Sequence, residues 1–305
     1  MSSFLKPGAR GSRPGRPGWA AHAAAYALLV GGVGASAQPA KLIVALRPDK
    51  NPQQMLEERH SLSAYLQEKL GRPAEVIVPL SAAVILEGLA GGSIDLAYLS
   101  ATDMLGARKA GSAEILLAGE IGGKDYYTSY WLALKDKSYA GVADLRGKPI
   151  AFASRTSTSG YLIPHADLVK KGLLAPAQDP EVFFGKGNVF YGTGYVSALE
   201  RVLSGEAEAA AVSYYVLDED KHLTAEQRQK LKKVADQGPV PTHVLAVRRS
   251  LPVVEKDALR AALLGLNDPV RSALRDRLFT SKLVVVDEAK HLASLDEAMR
   301  LTGKQ

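Results

Sequence analysis

Three consecutive hydroxyl side chains, Ser157, Thr158 and Ser159, stand immediately before Gly160 in a chain of 305 residues. Upstream, Ile150-Ala151-Phe152-Ala153 reads as a strand. Downstream, Leu162, Ala166, Val169 and Leu173 recur at helical spacing. Pro164 falls inside the first helical turn, where a backbone N–H is scarcely needed. The segment therefore brings hydroxyl donors to a helix start, where N–H groups lack intrahelical partners and the dipole favours negative charge. That is a site for a tetrahedral anion, and it requires no cationic side chain. The dipole alone contributes roughly 0.3–2 kcal/mol. The same residues also suit plain N-capping by Ser157 or Ser159. On residue chemistry alone the two readings stand open.

Other chemistry finds less support. With no cysteine, thiolate catalysis, disulfide scaffolds and Cys-bound metals are excluded. Gly119 to Lys124 is one residue short of a phosphate-binding P-loop, and Asp125 replaces its Ser/Thr. Gly192-Thr193-Gly194 sits between strand and helix like a dinucleotide fingerprint, but Ser197 holds the third glycine position. His60, His165, His222 and His243 form no ligand spacing with carboxylates and read as surface or packing residues, so no metal and no cofactor is expected. Tyr126, Tyr127, Tyr130 and Trp131 read as strand packing beside a hinge in preference to a pocket wall. No nucleophile, base and orienter fall close together in sequence, so binding is the leading activity and no catalytic residue is assigned. An exported phosphoester hydrolase with Ser157 as nucleophile is the catalytic alternative.

The elements that position these residues alternate. Leu42–Leu46 is an apolar strand, Pro52–Leu70 a helix stopped by Gly71, Glu75–Val78 a strand, Ala82–Ala90 a helix, and Ile94–Tyr98 a strand. This order implies an α/β fold with mostly parallel sheets and helices on their faces. Ligands in such sheets bind beyond the carboxyl ends of the strands, which is where Tyr98 falls. A second alternating unit runs through Ile150–Ala153, Tyr161–Lys171, Val189–Tyr191, Val196–Leu203 and Ala209–Val212. It lies between the apolar strands Tyr130–Leu134 and His243–Val247. The expected organisation is a clamp: lobe 1 from 41–134 and 243–305, lobe 2 from 135–242, joined by two crossover strands that act as a hinge.

With 47% hydrophobic and 23% charged residues the chain can bury a large core, which excludes global disorder. The net charge of +6 suggests nucleic acid only at first sight. Lys6, Arg10, Arg13 and Arg16 lie in an acid-free segment 1–37; without them 34 cations face 32 acids, so no nucleic-acid partner is expected. That segment has the layout of a secretory signal peptide: a basic portion, an apolar stretch Trp19–Val33, and Ala35-Ser36-Ala37 before Gln38. The apolar stretch is shorter than the roughly 20 residues a bilayer span needs. A mature, monomeric protein starting near Gln38 in the periplasm is the expectation.

At this point the sequence resembles a family. Ser157-Thr158-Ser159-Gly160-Tyr161-Leu162-Ile163-Pro164 is similar to the signature of phosphate-, phosphite- and phosphonate-binding proteins of ABC importers, which have the type II periplasmic-binding-protein fold. Asp144-Leu145-Arg146-Gly147-Lys148-Pro149 resembles the family's entry into its second lobe. Pro48-Asp49-Lys50-Asn51-Pro52 resembles the loop before its first helix. Gly91-Gly92-Ser93-Ile94-Asp95-Leu96-Ala97-Tyr98 and the stretch Ala198 to Val212 resemble its two units of helix, glycine, acid and apolar strand. The resemblance implies that Ser157, Thr158 and Ser159 hold a small phosphorus oxyanion, that Tyr98 faces it from the first lobe, and that a membrane permease is the transient partner. It also admits a relative that reports ligand to a membrane sensor kinase. Two places depart from the family. Tyr195, in Gly192-Thr193-Gly194-Tyr195-Val196, stands where relatives commonly carry His beside an acid, and Ser213-Tyr214-Tyr215 stands where they commonly carry Asp or Asn. Tyr195 and Ser213 are thus either donors to the anion or packing replacements. Without those acids a buried ammonium would lack its counter-charge, which disfavours aminoethylphosphonate as ligand.

Overall fold

The computed structural model describes residues 40–47, 52–219, 222–278 and 282–304. The expected leader 1–37 and the loop residues Pro48, Asp49, Lys50 and Asn51 lie outside the described residues. The chain opens with β1 (Leu42–Ala45), α1 (Pro52–Leu70), β2 (Ala74–Ile77), α2 (Ala82–Gly91), β3 (Leu96–Leu99), α3 (Ala101–Lys109) and β4 (Ala113–Glu120). Local chemistry sets these bounds. Ser81 caps α2 by accepting the Val84 N–H, and Gly92, at φ 78°, ends it in the left-handed region that glycine tolerates. Ser100 caps α3 through the Asp103 N–H.

The chain then builds β5 (Tyr126–Leu134), β6 (Ile150–Phe152), α4 (Ile163–Lys170), α5 (Glu181–Phe184), β7 (Val189–Tyr191), α6 (Tyr195–Leu203), β8 (Ala209–Ser213), α7 (Tyr215–Asp218), α8 (Ala225–Gln229) and β9 (Leu231–Pro241). It closes with β10 (Val244–Arg248), α9 (Val253–Leu264), α10 (Ser272–Leu278), β11 (Lys282–Val284) and α11 (Glu288–Thr302). Two sheets result, in the orders β11-β4-β10-β3-β1-β2 and β7-β6-β8-β5-β9. In the first, β1 pairs parallel with β2 and β3, while β3–β10, β10–β4 and β4–β11 are antiparallel. In the second, β6 pairs parallel with β7 and β8, while β5 pairs antiparallel with β8 and β9. The two-lobed α/β architecture is therefore as expected, but each sheet is mixed rather than mostly parallel. Strands that follow a crossing enter their sheet from the opposite direction and extend the parallel β-α-β core.

Helices cover both faces of each sheet. Val44 packs with Leu62, Leu66 and Leu263 on one side, and its neighbour Ala45 packs with Ile85, Leu89 and Leu292 on the other. In the second sheet Phe152 joins Trp131, Tyr161 and Phe184, while Ala151 joins Leu132, Leu199 and Val202. The acids of the two glycine–acid–strand units pin these sheets. Asp95 accepts the Ile43 N–H at 2.9 Å and pairs with Arg248 at 2.8 Å. Glu208 pairs with Lys137 and accepts the Tyr139 hydroxyl, each at 2.9 Å.

Two expected boundaries move. Lobe 1 was to run to residue 134, yet β5 lies between β8 and β9 in the second sheet, so the first crossing falls at 121–125. An apolar strand carries no mark of the sheet it joins. The expected hinge at Trp131–Leu134 shifts with it, while the return crossing falls at Thr242 and His243. The second boundary concerns α11, which touches both lobes. Glu288 accepts the Ile115 N–H of β4 at 2.8 Å, and Asp296 pairs with Arg108 of α3. Yet Leu292, Leu295 and Ala298 share a buried cluster with Leu162, Ile163 and Ala166 of the second lobe. Glu297 pairs with Lys170 at 2.5 Å, and the Leu301 carbonyl accepts the Ala177 N–H at 2.9 Å. His291 of α11 is buried between the crossings, with Nδ1 3.1 Å from Asp125 Oδ2 and Nε2 3.2 Å from the Thr242 carbonyl. Among the described residues no helix is long and apolar enough to cross a membrane.

Candidate functional site

The hydroxyl run follows β6 directly. The Ala153 N–H bonds back to the Gly160 carbonyl at 3.0 Å, which folds the intervening loop into a tight return. Thr158–Leu162 then forms a wide turn: the Leu162 N–H reaches the Ser157 carbonyl at 3.0 Å and the Ile163 N–H reaches the Thr158 carbonyl, before α4 begins. Such wide turns recur at functional sites. Ser157 Oγ accepts the Gly160 N–H at 2.9 Å, so this hydroxyl is used in capping. Gly160 is dictated by space: a Cβ there would lie 2.4 Å from the Ala153 Cβ and 3.2 Å from the Ala211 carbonyl. The turn is braced from behind. Ser129 Oγ of β5 donates to the Ser159 carbonyl at 2.6 Å and itself accepts from Gln237 Nε2 of β9 at 2.6 Å.

The other two hydroxyls take different partners: that of Ser159 meets tyrosines of its own lobe and that of Thr158 meets the opposite lobe. Ser159 Oγ lies 2.7 Å from the Tyr195 hydroxyl at the start of α6 and accepts the Tyr127 hydroxyl at 3.3 Å. Thr158 Oγ1 lies 2.6 Å from Thr102 Oγ1 on α3, a direct contact between lobes. Beside Thr102, the Asp103 carboxylate accepts the Ser100 hydroxyl at 2.6 Å and pairs with Arg47, which follows β1. Tyr98, at the carboxyl end of β3, is half-buried with its ring 5.3 Å from that of His243. Ser213 ends β8 opposite Ser129; it is fully buried, and its hydroxyl finds no hydrogen-bond partner among the described residues.

The charge balance suits an anion. Burial pushes the Tyr127 hydroxyl pKa well above its ordinary value, so it remains a neutral donor. His243 is pushed down from 6.5 to about 3, first by burial and then by the Arg47 guanidinium, which leaves it neutral at ordinary pH. The site is thus a set of neutral hydroxyls with one guanidinium–carboxylate pair at its first-lobe edge.

The structure brings together Thr158, Ser159 and Tyr195 from the residues singled out in the sequence. It puts Tyr98 on the facing lobe and Ser213 opposite Ser129 on the adjacent strand. Ser157 serves the turn. Sequence reasoning missed Thr102, Arg47, Tyr127 and His243 as neighbours of the site. Thr102 and Arg47 carried a usable signal, because both follow the carboxyl end of a strand in the parallel core. Tyr127 and His243 look like strand residues until the crossings are known, which is why the sequence favours strand packing over a pocket wall for Tyr127.

The family model for the ABC transporter, phosphonate, periplasmic substrate-binding protein matches residues 44–291. The chain belongs to that family. It is therefore an extracytoplasmic solute-binding protein of an ABC importer, whose work is binding rather than catalysis and whose partners are a small ligand and a membrane permease. The hydrolase alternative falls with this membership. One curated relative, the phosphate-import protein PhnD of Mycolicibacterium smegmatis, is 24% identical over 246 residues, covering 79% of this chain and 71% of that protein. Two solved structures share the family protein's fold. PhnD1 from Prochlorococcus marinus in complex with methylphosphonate has a TM-score of 0.72 and 17% identity, covering 87% of this chain and 99% of its own. XAC2383 from Xanthomonas citri bound to ATP has a TM-score of 0.72 and 22% identity, covering 87% and 98%.

Proposed function

We propose that the protein captures a small phosphorus oxyanion (phosphate, phosphite or an alkylphosphonate) between its lobes for delivery to the permease. The observation that carries this reading is the meeting of Thr158 and Thr102 at 2.6 Å beside Ser159, which sets hydroxyl donors from both lobes around one point at a helix start. Thr158, Ser159 and Tyr195 donate to the oxyanion from the second lobe and Tyr98 from the first. The unpartnered Ser213 hydroxyl is a further donor, and Ser157 shapes the turn. The named relatives support the ligand class: one is a phosphate importer and another was solved with methylphosphonate. Tyr195 and Ser213, which stand in place of the acids that would pair with an ammonium, argue against an aminoalkyl ligand. The mature chain starts near Gln38 in the periplasm, after removal of the leader.

Titration calorimetry of the mature protein with phosphate, phosphite, methylphosphonate, aminoethylphosphonate and sulfate tests this. Stoichiometric binding of at least one of the first three, with aminoethylphosphonate weaker, is the expected result. Binding of none of the phosphorus ligands would overturn the reading.

A further inference from the structure

Three polar side chains stand in a row across the second sheet, behind the Thr158–Leu162 turn. Ser213 of β8 lies opposite Ser129 of β5, and Ser129 lies opposite Gln237 of β9, so all three project from one face. That face is otherwise apolar, with Trp131 two residues along β5 packed among Phe152, Tyr161 and Phe184. All three polar residues are buried. Gln237 also stands where β9 departs from regular pairing, since the three steps from Gln237 to Val240 face the two steps between Ser129 and Tyr127. A bulge of this kind bends its strand and re-aims the side chains beside it.

The direction of the hydrogen bonds in this row is forced. The Ser129 hydroxyl lies 2.6 Å from the Ser159 carbonyl and 3.2 Å from the Val212 carbonyl, and a carbonyl can only accept. Its single proton therefore goes to a carbonyl, chiefly the nearer one, and its lone pairs are left for a donor. Of the Gln237 amide only the nitrogen meets that need, at 2.6 Å, which turns the amide oxygen to a place where it finds no hydrogen-bond partner among the described residues. A buried polar atom left unpaired costs stability, so an apolar residue would suit this face better if packing were all that was required. What the orientation gains is a chain of donors, from Gln237 to Ser129 to the Ser159 carbonyl, in which each bond polarises the next. Ser159 is then held twice from β5, its carbonyl by Ser129 and its hydroxyl by Tyr127 at 3.3 Å. Because β5 follows the first crossing and β9 leads into the return crossing, the chain also ties together the two strands that carry the hinge.

Resting on the reading that the cleft holds a phosphorus oxyanion, we propose that Gln237 is a positioning residue of that site, holding Ser159 in its binding attitude through the Ser129 hydroxyl. A binding constellation keeps its geometry only when hydrogen bonds from behind lock the groups that face the ligand. Gly160 leaves the turn no slack on its other side, where a Cβ would already meet Ala153. Loss of the Gln237 donor frees the Ser129 proton to choose between two carbonyls, and the Ser159 hydroxyl loses its fixed direction.

The test compares wild type with Gln237→Met, which keeps the reach without the donor, with Ser129→Ala, with Ser129→Thr, and with the double variant Ser129→Ala/Gln237→Met. Each is titrated calorimetrically with inorganic phosphate and with methylphosphonate, and urea denaturation without ligand measures stability separately. Gln237→Met should weaken binding by about threefold to tenfold and Ser129→Ala by about tenfold or more, though both act from behind the turn. The double variant should bind within about twofold of Ser129→Ala, because Gln237 has no route to the site once the Ser129 hydroxyl is gone. Ser129→Thr keeps the hydroxyl and should stay within about threefold of wild type. A folded Gln237→Met that loses stability yet binds within about twofold of wild type has the pattern of a residue that only packs, and it overturns the proposal. Losses that multiply in the double variant overturn it as well, as does Ser129→Thr binding as weakly as Ser129→Ala. Should Gln237→Met not fold, Gln237→Asn, whose amide falls one methylene short of Ser129, carries the same expectation. In all these cases wild type still binds and the oxyanion reading stands, whereas failure of wild type to bind phosphate, phosphite or methylphosphonate overturns that reading and the proposal with it.

Discussion

The three hydroxyls of residues 157–159 should separate cleanly when each is truncated, because the structure gives each a different partner. Ser157→Ala removes the acceptor of the Gly160 N–H and nothing that faces the other lobe. Loss of such a cap costs about 0.5–2 kcal/mol of stability, with ligand affinity changed only through a loosened turn. Thr158→Ala removes one neutral hydroxyl pair, with Thr102, from the unliganded protein, at about 0.5–1.5 kcal/mol. Ser159→Ala leaves the Tyr127 and Tyr195 hydroxyls without their shared partner, at about 1–3 kcal/mol for a buried group left unsatisfied. On the proposed reading Thr158 and Ser159 each donate a hydrogen bond to a charged acceptor, worth about 1.5–3 kcal/mol, so loss of either should lower affinity roughly tenfold to a hundredfold. Thr158→Ser keeps the hydroxyl and should keep most of the affinity. Urea denaturation without ligand and calorimetric titration with inorganic phosphate give the two axes. The reasoning fails if Ser157→Ala weakens phosphate as much as Ser159→Ala, or if Thr158→Ala and Ser159→Ala both bind within twofold of wild type.

Two further perturbations test other parts of the site. His243 is neutral in the folded protein down to about pH 3 but takes a proton near 6.5 when unfolded, so it contributes stability that is complete above about 6.5 and is lost as pH falls toward 3. Its share is at most about 1.4 kcal/mol per pH unit in that window; denaturation midpoints of wild type and His243→Gln should converge with acidification, and parallel curves would refute the assignment. Gly160→Ala forces a Cβ to within 2.4 Å of the Ala153 Cβ, and such overpacking should cost about 1–3 kcal/mol. A thermal midpoint unchanged from wild type would show that the turn has room the distances deny.

The β-α-β core was legible because its signals are local. Pro52–Leu70 ends where the apolar period and Gly71 place it, and the Ser-Thr-Ser-Gly run lies between strand and helix as its composition implies. What the sequence hid depends on pairing. β9 reads LKKVADQGPVP, polar and interrupted by Pro239, and it is a strand only because it lines the edge of the second sheet beside β5, where a proline is tolerated. α3 and β4 blend into each other without a strong period, so the helix that delivers Thr102 and Asp103 went unseen. The hydroxyl run left capping and anion binding open, and the structure gives its residues different partners: Ser157 caps, Thr158 meets Thr102 of the other lobe, and Ser159 meets Tyr195 within its own. Arg47 follows a strand of ordinary appearance. Its relation to Asp103 spans 56 residues, a distance at which one chain read alone offers no pattern.

The helix α11 changes what controls affinity. Because it grips β4 and α3 at one side and α4 at the other, separation of the lobes must disturb one of these grips as well as bend the crossings at 121–125 and 242–243. The free-energy gap between open and closed forms is therefore written partly in side chains that never meet the solute, such as Lys170, Glu297 and Leu295. Apparent affinity equals the intrinsic constant scaled by the fraction of molecules already competent to bind. Substitutions along this helix can thus retune the threshold concentration at which the importer is loaded, in either direction, while the chemistry that recognises the solute stays as it is.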